Sequence, residues 1–396
     1  MGKLKNFEKP IGFRDLLPEM TGQKRVIENR LQDLFSRWGY QEIMTPTLEY
    51  DQTVGKASAI SDEKMFRLLD RMGHTLVLRP DMTAPIARVV SSVLREQPLP
   101  IRISYHANVF RAQENEAGRF SEFYQSGVEL IGERTPDADA EVLTLAIQSL
   151  KELQLDSFQV TVGHMGFLDG ILEEWIEIEK KQAIKETLAD RDYVGYQKFI
   201  EDHIKDEDGK RAILSLLDLQ GNWTILEKAR DMAKSEKALK AIDELIQIYQ
   251  LASLYQVESY LSFDLTLVPH LEYYTGMVFE GTGEGLGFPI CSGGRYDSLL
   301  TLFNNPQYAT GFALHMDRIL EITRIETESK SKIKIYYDTV HQEEALQYAM
   351  ELRENKGLRV ETRRIHSKSE LDEVQEKGTD PKIERIYFLQ EGGLEA

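Results

Sequence analysis

The sequence predicts an α+β protein: an antiparallel sheet flanked by helices, interrupted by a helical insertion and followed by a small C-terminal α/β domain. Three observations carry this reading. Residues 265–318 alternate short apolar runs with glycine clusters, the pattern of a hairpin followed by further strand and helix. Across 166–260 the texture changes, and charged residues interleave with Leu, Ile and Ala at helical spacing. After a polar, aperiodic stretch at 326–332, five short segments read strand, helix, strand, helix, strand. The chain therefore divides into a core of 1–165 and 261–325, an insertion of 166–260, and a linker with a small domain over 326–396.

Composition narrows the function classes. The balance of 48 Lys+Arg against 66 Asp+Glu gives a net charge of -18, which disfavours nucleic acid as the main partner. The one cysteine, Cys291, allows no internal disulfide and no cysteine-based zinc site, as expected in a reducing cytosol. Met1 to Asn6 lacks an apolar signal core, and no later stretch offers roughly 18 consecutive apolar residues. A soluble cytoplasmic protein with no membrane partner is the expectation.

Along the chain, Asp15, or Pro18 with Glu19, can start a helix. Val26, Leu31, Leu34 and Phe35 carry its period to Trp38, and Gly39 suits its end. Residues 41–46 read as a strand stopped by Pro46; that helix and strand form either an oligomer interface or a buried intradomain pair. Residues 66–69 and 75–78 read as two strands joined at Arg71-Met72-Gly73, leading to a helix over 84–94. Asp81 and Thr83 at this junction either cap the helix or face a ligand amine. Strands over 101–110 and 119–128 flank a charged loop, 111–118, and bring a second cluster: Arg111, Arg119, Gln125 and Glu129, with Tyr124 between. The period of two puts Phe123, Gln125, Gly127 and Glu129 on one face. Buried without partners, Gln125 and Glu129 would be costly, so they imply a polar pocket or a solvated face. A helix over 138–153 and a strand over 158–163 follow. Tyr273, Tyr274, Arg295, Arg318 and the glycines among them suit a concave small-molecule site or, alternatively, an aromatic core.

Gly281 to Gly287 lacks the spacing of a dinucleotide loop and reads as a hairpin loop. The eight histidines show no convincing metal-ligand spacing, and neither a nucleophile elbow nor a phosphate loop is present. No metal and no cofactor are expected. The residues alone reach a polar, tyrosine-lined small-molecule pocket and do not name its ligand.

Taken together, the clusters resemble the class II aminoacyl-tRNA synthetase catalytic domain, specifically that of histidyl-tRNA synthetase. Gly39-Tyr-Gln-Glu-Ile-Met-Thr-Pro46 is similar to motif 1, whose helix and strand form the dimer interface in that family. Phe110-Arg111 through Gly118-Arg119 to Gln125 is similar to motif 2, and Gly311 to Arg318 to motif 3. Leu271-Glu-Tyr-Tyr-Thr275 and Gly293-Gly-Arg-Tyr-Asp297 resemble the two histidine signatures. Carried over, the histidine contacts are Asp81, Thr83, Arg111, Gln125, Glu129, Tyr273 and Tyr274. The resemblance implies that carboxylates and Gln125 bind the α-amine, Arg111 the carboxylate, and Glu129 with a tyrosine hydroxyl the imidazole. Asp81 stands where the family has a glutamate.

The departures point away from catalysis. The first signature in the synthetases is Arg-Gly-Leu-Asp-Tyr-Tyr-Thr; here Pro269 replaces the arginine and His270 the glycine. Proline offers no donor and no charge to a developing anion, a loss typically on the order of 10²- to 10³-fold in rate. Gln113 replaces the motif 2 glutamate, Ser121 its second arginine, and His315 a glycine of motif 3, where a ring is expected to fill nucleotide space. No catalytic residue is expected. The chain thus resembles the synthetase paralogues that serve as regulatory subunits of ATP phosphoribosyltransferase. That resemblance implies a short-form catalytic subunit as partner, L-histidine as ligand, self-association through motif 1, and a part in the first step of histidine biosynthesis. An active synthetase, or a histidine sensor with another partner, are the alternatives.

Overall fold

A computed structural model describes residues 7–112, 120–269, 271, 273–325, 332–376 and 383–389. Gln113, Gly118, Arg119, His270 and Glu272, the first six residues, most of the 326–332 linker and the C-terminal tail lie outside the described residues. Two compact units result, 1–325 and 326–396.

The first unit is built on a nine-stranded sheet. Helix α1 (Pro18–Arg37) starts with proline at its first position, where a missing N–H costs nothing, and buries Ile27, Leu31, Leu34 and Phe35. Strand β1 (Gln41–Glu42) is shorter than the expected 41–46, because only two residues pair before Pro46 turns the chain away. A separate three-stranded sheet follows, from β2 (Leu48–Tyr50), β3 (Arg67–Leu69) and β4 (Thr75–Leu78). Helix α2 (Thr83–Ser91) ends three residues before the expected Leu94.

Strands β5 (Ile101–Phe110) and β6 (Glu122–Ile131) form a long antiparallel pair, with β6 shifted toward the C-terminus relative to the expected 119–128. Helix α3 (Pro136–Glu152) and β7 (Phe158–His164) fall close to expectation. Next come helices α4 (Met165–Trp175), α5 (Ile178–Ala189), α6 (Tyr193–His203) and α7 (Glu207–Leu214). The short β8 (Gln220–Gly221), then α8 (Ile225–Met232) and α9 (Glu236–Leu254), complete the 166–260 region. This region is not purely helical: β8 pairs with β9 (Leu261–Asp264) and so joins the sheet edge. Its apolar side chains, among them Ile171, Ile242 and Leu245, belong to the same buried cluster as α1 and α3.

After β9 the chain turns at Leu265 and Thr266, where Asp264 Oδ1 accepts from Thr266 N at 2.9 Å. Strands β10 (Met277–Gly283) and β11 (Cys291–Arg295) form the expected hairpin, followed by β12 (Ala309–His315) and α10 (Met316–Ile322). The sheet order is β1-β5-β6-β12-β11-β10-β7-β9-β8. It is antiparallel through its centre and parallel at β1–β5 and β7–β9, hence mixed rather than purely antiparallel.

Alternation on β6 separates two chemistries. Val128 and Leu130 point into the core with α1 and α3, whereas the opposite face lies with Ile103, Tyr105, Met82, Ile86 and Tyr296. The second unit is a three-stranded parallel sheet, β13 (Lys332–Tyr337) between β14 (Arg359–Arg364) and β15 (Ile383–Phe388). It carries helices α11 (Gln342–Lys356) and α12 (Lys368–Glu376), in the expected order.

Candidate functional site

The site grows from Glu129. Its place on β6 turns it toward the second apolar cluster, where it is 2 % exposed. The Thr83 hydroxyl donates to Oε1 at 2.9 Å, and the Tyr296 hydroxyl donates to Oε2. Burial pushes the carboxyl up to about 8, against the opposing effect of the two hydroxyl donors. Gly311 lies directly across the ladder, and a Cβ there would sit 1.8 Å from Oε2, so only glycine leaves room for this side chain.

Asp81 caps the start of α2. Oδ1 accepts from Ala84 N at 2.9 Å and Oδ2 from the Ser58 hydroxyl. Thr83 does not cap; its hydroxyl goes to Glu129. The start of α2 thus delivers one carboxylate and one hydroxyl to the same buried corner.

Aromatic rings wall the corner. Tyr273 lies 4.9 Å from Tyr274 and 5.6 Å from Tyr296, centroid to centroid. Burial, reinforced by Glu129 and Asp81, pushes the phenols of Tyr105 and Tyr273 up and keeps them neutral donors. Tyr274 is pushed up as well, chiefly by burial. Gln125 is 5 % exposed and shares the β6 face of Glu129, pairing in register with Ala107 and His315. Arg111 donates from Nε to the Pro80 carbonyl at 2.8 Å and rests 5.3 Å over the Phe123 ring. Burial lowers its pKa while Asp81 and the tyrosines oppose the shift, which places this cation in the field of the same cluster.

All seven residues singled out from the sequence therefore gather in one region. Tyr105 and Tyr296 belong there too and were not singled out as contacts. Tyr296 sits inside the Gly293–Asp297 signature, and Tyr105 lies opposite Gly127 in the β5–β6 register, so pairing plus alternation would have found both. Arg295, in contrast, is an internal clip. Its Nε donates to Asp139 Oδ2 at 2.9 Å, and Nη1 reaches the Glu133 carbonyl at 3.1 Å and Asp297 at 3.2 Å.

On the other side, β12 ends at His315, whose ring meets Ser292 Oγ at 3.3 Å. Burial, then Arg318 and Arg111, push this imidazole down to about 3, so it is neutral at physiological pH. Arg318 donates to the Pro289 carbonyl and lies 5.2 Å over Phe288. Ser121 is buried, and its amide donates to the Gly12 carbonyl at 2.8 Å. Pro269, Leu271 and Tyr274 line a cavity of about 150 Å³ with Met165, Lys185 and Asp190 of the neighbouring helices. Among the described residues no group of His, Cys, Asp and Glu is arranged to hold a metal ion, and no helix is long and apolar enough to cross a membrane.

Comparison with known proteins identifies the family. The family model described as histidyl-tRNA synthetase matches residues 12–319. An ATP phosphoribosyltransferase regulatory subunit of Halalkalibacterium halodurans is 43% identical over 358 residues, covering 90% of each chain. One from Geobacillus kaustophilus is 44% identical over 364 residues, covering 92% of this chain and 91% of that one. A crystal structure from Bacillus halodurans, titled ATP phosphoribosyltransferase regulatory subunit/histidyl-tRNA synthetase, superposes with a TM-score of 0.90 at 39% identity, covering 98% of this chain and 100% of that one. A Nostoc histidyl-tRNA synthetase at 19% identity, covering 95% of this chain and 90% of that one, shares the fold with a TM-score of 0.79. The chain belongs to the histidyl-tRNA synthetase family, among its ATP phosphoribosyltransferase regulatory subunits.

Proposed function

We propose that this chain is the non-catalytic subunit that serves a short-form ATP phosphoribosyltransferase in the first step of histidine biosynthesis, and that it reports L-histidine through the Glu129 pocket. The observation that carries this is the contrast at one segment: Tyr273 and Tyr274 remain beside the buried Glu129 corner, while the position of the synthetase arginine holds Pro269. Glu129 and a tyrosine hydroxyl suit an imidazole, Asp81 and Gln125 an α-amine, and Arg111 a carboxylate. A few charge-assisted contacts of this kind support micromolar binding. For feedback, histidine must bind the inhibited assembly more tightly than the active one.

Self-association through motif 1 is part of the proposal. Met44 beside β1 is 86 % exposed, and Leu48, Tyr50, Leu69 and Met72 of the adjoining small sheet are exposed as well. Burying this apolar strip against a second copy would account for it, and Met44→Glu would then shift the chain to a slower-sedimenting species.

Calorimetric titration with histidine and then with ATP tests the ligand, and co-purification with the catalytic subunit tests the partner. Histidine binding without ATP binding, together with complex formation, is the expected result. The second reading, an active synthetase, is favoured by the paired title of the Bacillus halodurans structure. Histidine-dependent ATP–pyrophosphate exchange by the purified chain would establish it instead.

A further inference from the structure

Among the described residues of the C-terminal unit, half of one sheet face has no helix packed on it. Its register sets Lys332 between Arg359 and Ile383, Lys334 between Glu361 and Arg385, and Tyr336 between Arg363 and Tyr387. The period of two places all nine on one face. The opposite face, with Ile333, Ile335, Val360 and Ile386, is packed against α11. Helix α12 covers only the Tyr336 end, through Leu371 and Val374.

Parallel sheets are ordinarily covered on both faces, so this open half is a surface without its cover. It is also basic. Lys332 and Lys334 share Glu361 at 2.5 and 3.6 Å. Arg359 and Arg363 are exposed and Arg385 is partly so, and none of the three makes an ion pair among the described residues. On a chain of net charge -18, these three arginines on one face, with no ion pair among the described residues, form a positive island. The same chain supplies a surface of opposite sign. At the α6–α7 corner Glu201, Asp202, Asp206, Glu207 and Asp208 are all exposed; Glu207 pairs with Lys210, Asp208 with Arg211, and Asp206 caps α7, so Glu201 and Asp202 carry most of its uncompensated charge.

We propose that the arginine face of the C-terminal unit docks on the acidic α6–α7 corner of a second copy of this chain. The contact is polar and separate from the apolar motif 1 strip, so salt weakens it selectively.

Sedimentation velocity of the full chain at about 50 and about 300 mM salt tests this. The expected result is an association step about tenfold weaker at the higher salt. Arg359→Glu/Arg363→Glu/Arg385→Glu should lose that step, and so should Glu201→Lys/Asp202→Lys/Glu207→Lys. Mixed in equal amounts, the two variants should associate again, because each supplies the sign the other lacks. No change of association in the arginine variant overturns the proposal, as does a mixture that stays apart, which would place the contact within one chain. Loss of RNA binding by the arginine variant at unchanged association would also overturn it and assign the face to a polyanion. Every substituted residue is partly or fully exposed and outside the apolar clusters, and recovery in the mixture confirms that both variants are folded.

Discussion

The two halves of the candidate site hold their charges differently. Around Glu129, donors and acceptors are complementary: two hydroxyls meet one carboxylate, and a serine and a helix amide meet the other. Around His315, Arg318 donates to the Pro289 carbonyl and lies over the Phe288 ring, and the imidazole is neutral. A preorganised set of side chains is held ready to select a ligand. The proposed function rests on this contrast, with recognition kept on one side and activation given up on the other.

The largest expected effect separates a structural arginine from a ligand-binding one. Arg295→Met leaves Asp139 buried without its counter-ion and should lower stability by roughly 3–5 kcal/mol, while the histidine Kd of the folded fraction stays within about threefold. Urea unfolding paired with calorimetry checks both halves of that statement; a large loss of affinity in the folded protein would return Arg295 to the pocket.

Glu129→Ala should weaken histidine binding by about 100-fold and cost roughly 1–3 kcal/mol for each hydroxyl left without an acceptor. Unchanged affinity would show that histidine binds elsewhere. Glu129→Gln should bind weakly as well but keep most of the packing.

The raised carboxyl of Glu129 has a definite sign in pH. Between the ordinary carboxylate value and about 8 the folded chain holds a proton that the unfolded chain has lost, so its stabilising contribution is full below that window and is lost as pH rises through about 8. Thermal melts should show a decline in the native chain that is absent in Glu129→Gln. Where histidine requires the ionised carboxylate, its affinity should tighten by up to about tenfold per pH unit from pH 6 toward 8. Calorimetry in buffers of differing ionisation enthalpy would detect the released proton.

The smallest effect concerns the nucleotide half. His315→Gly should change histidine affinity less than about threefold and leave ATP binding undetected, because Pro269 still supplies no charge. Recovery of ATP binding in that variant would show that the imidazole alone blocks the nucleotide.

Much of the fold was legible because periodicity reports burial directly. The α1 stripe of Leu31, Leu34 and Phe35, the β10–β11 hairpin and the alternating strands of the C-terminal unit follow from local pattern alone. Less legible were short segments whose state depends on a distant partner: β8 pairs with β9 across the sheet edge, and of residues 41–46 only Gln41 and Glu42 are in register with β5. The sequence by itself determined the face on which Gln125 and Glu129 stand, the proline at position 269 and the absence of a cysteine partner for Cys291. Tertiary structure decided which readings of those residues hold. It bonded Asp81 to Ser58, turned Thr83 and Tyr296 onto Glu129, and tied Arg295 to Asp139. Each of these is a contact between residues far apart in the chain. Local spacing says which face a side chain occupies, whereas only the packing of two elements says which group it meets.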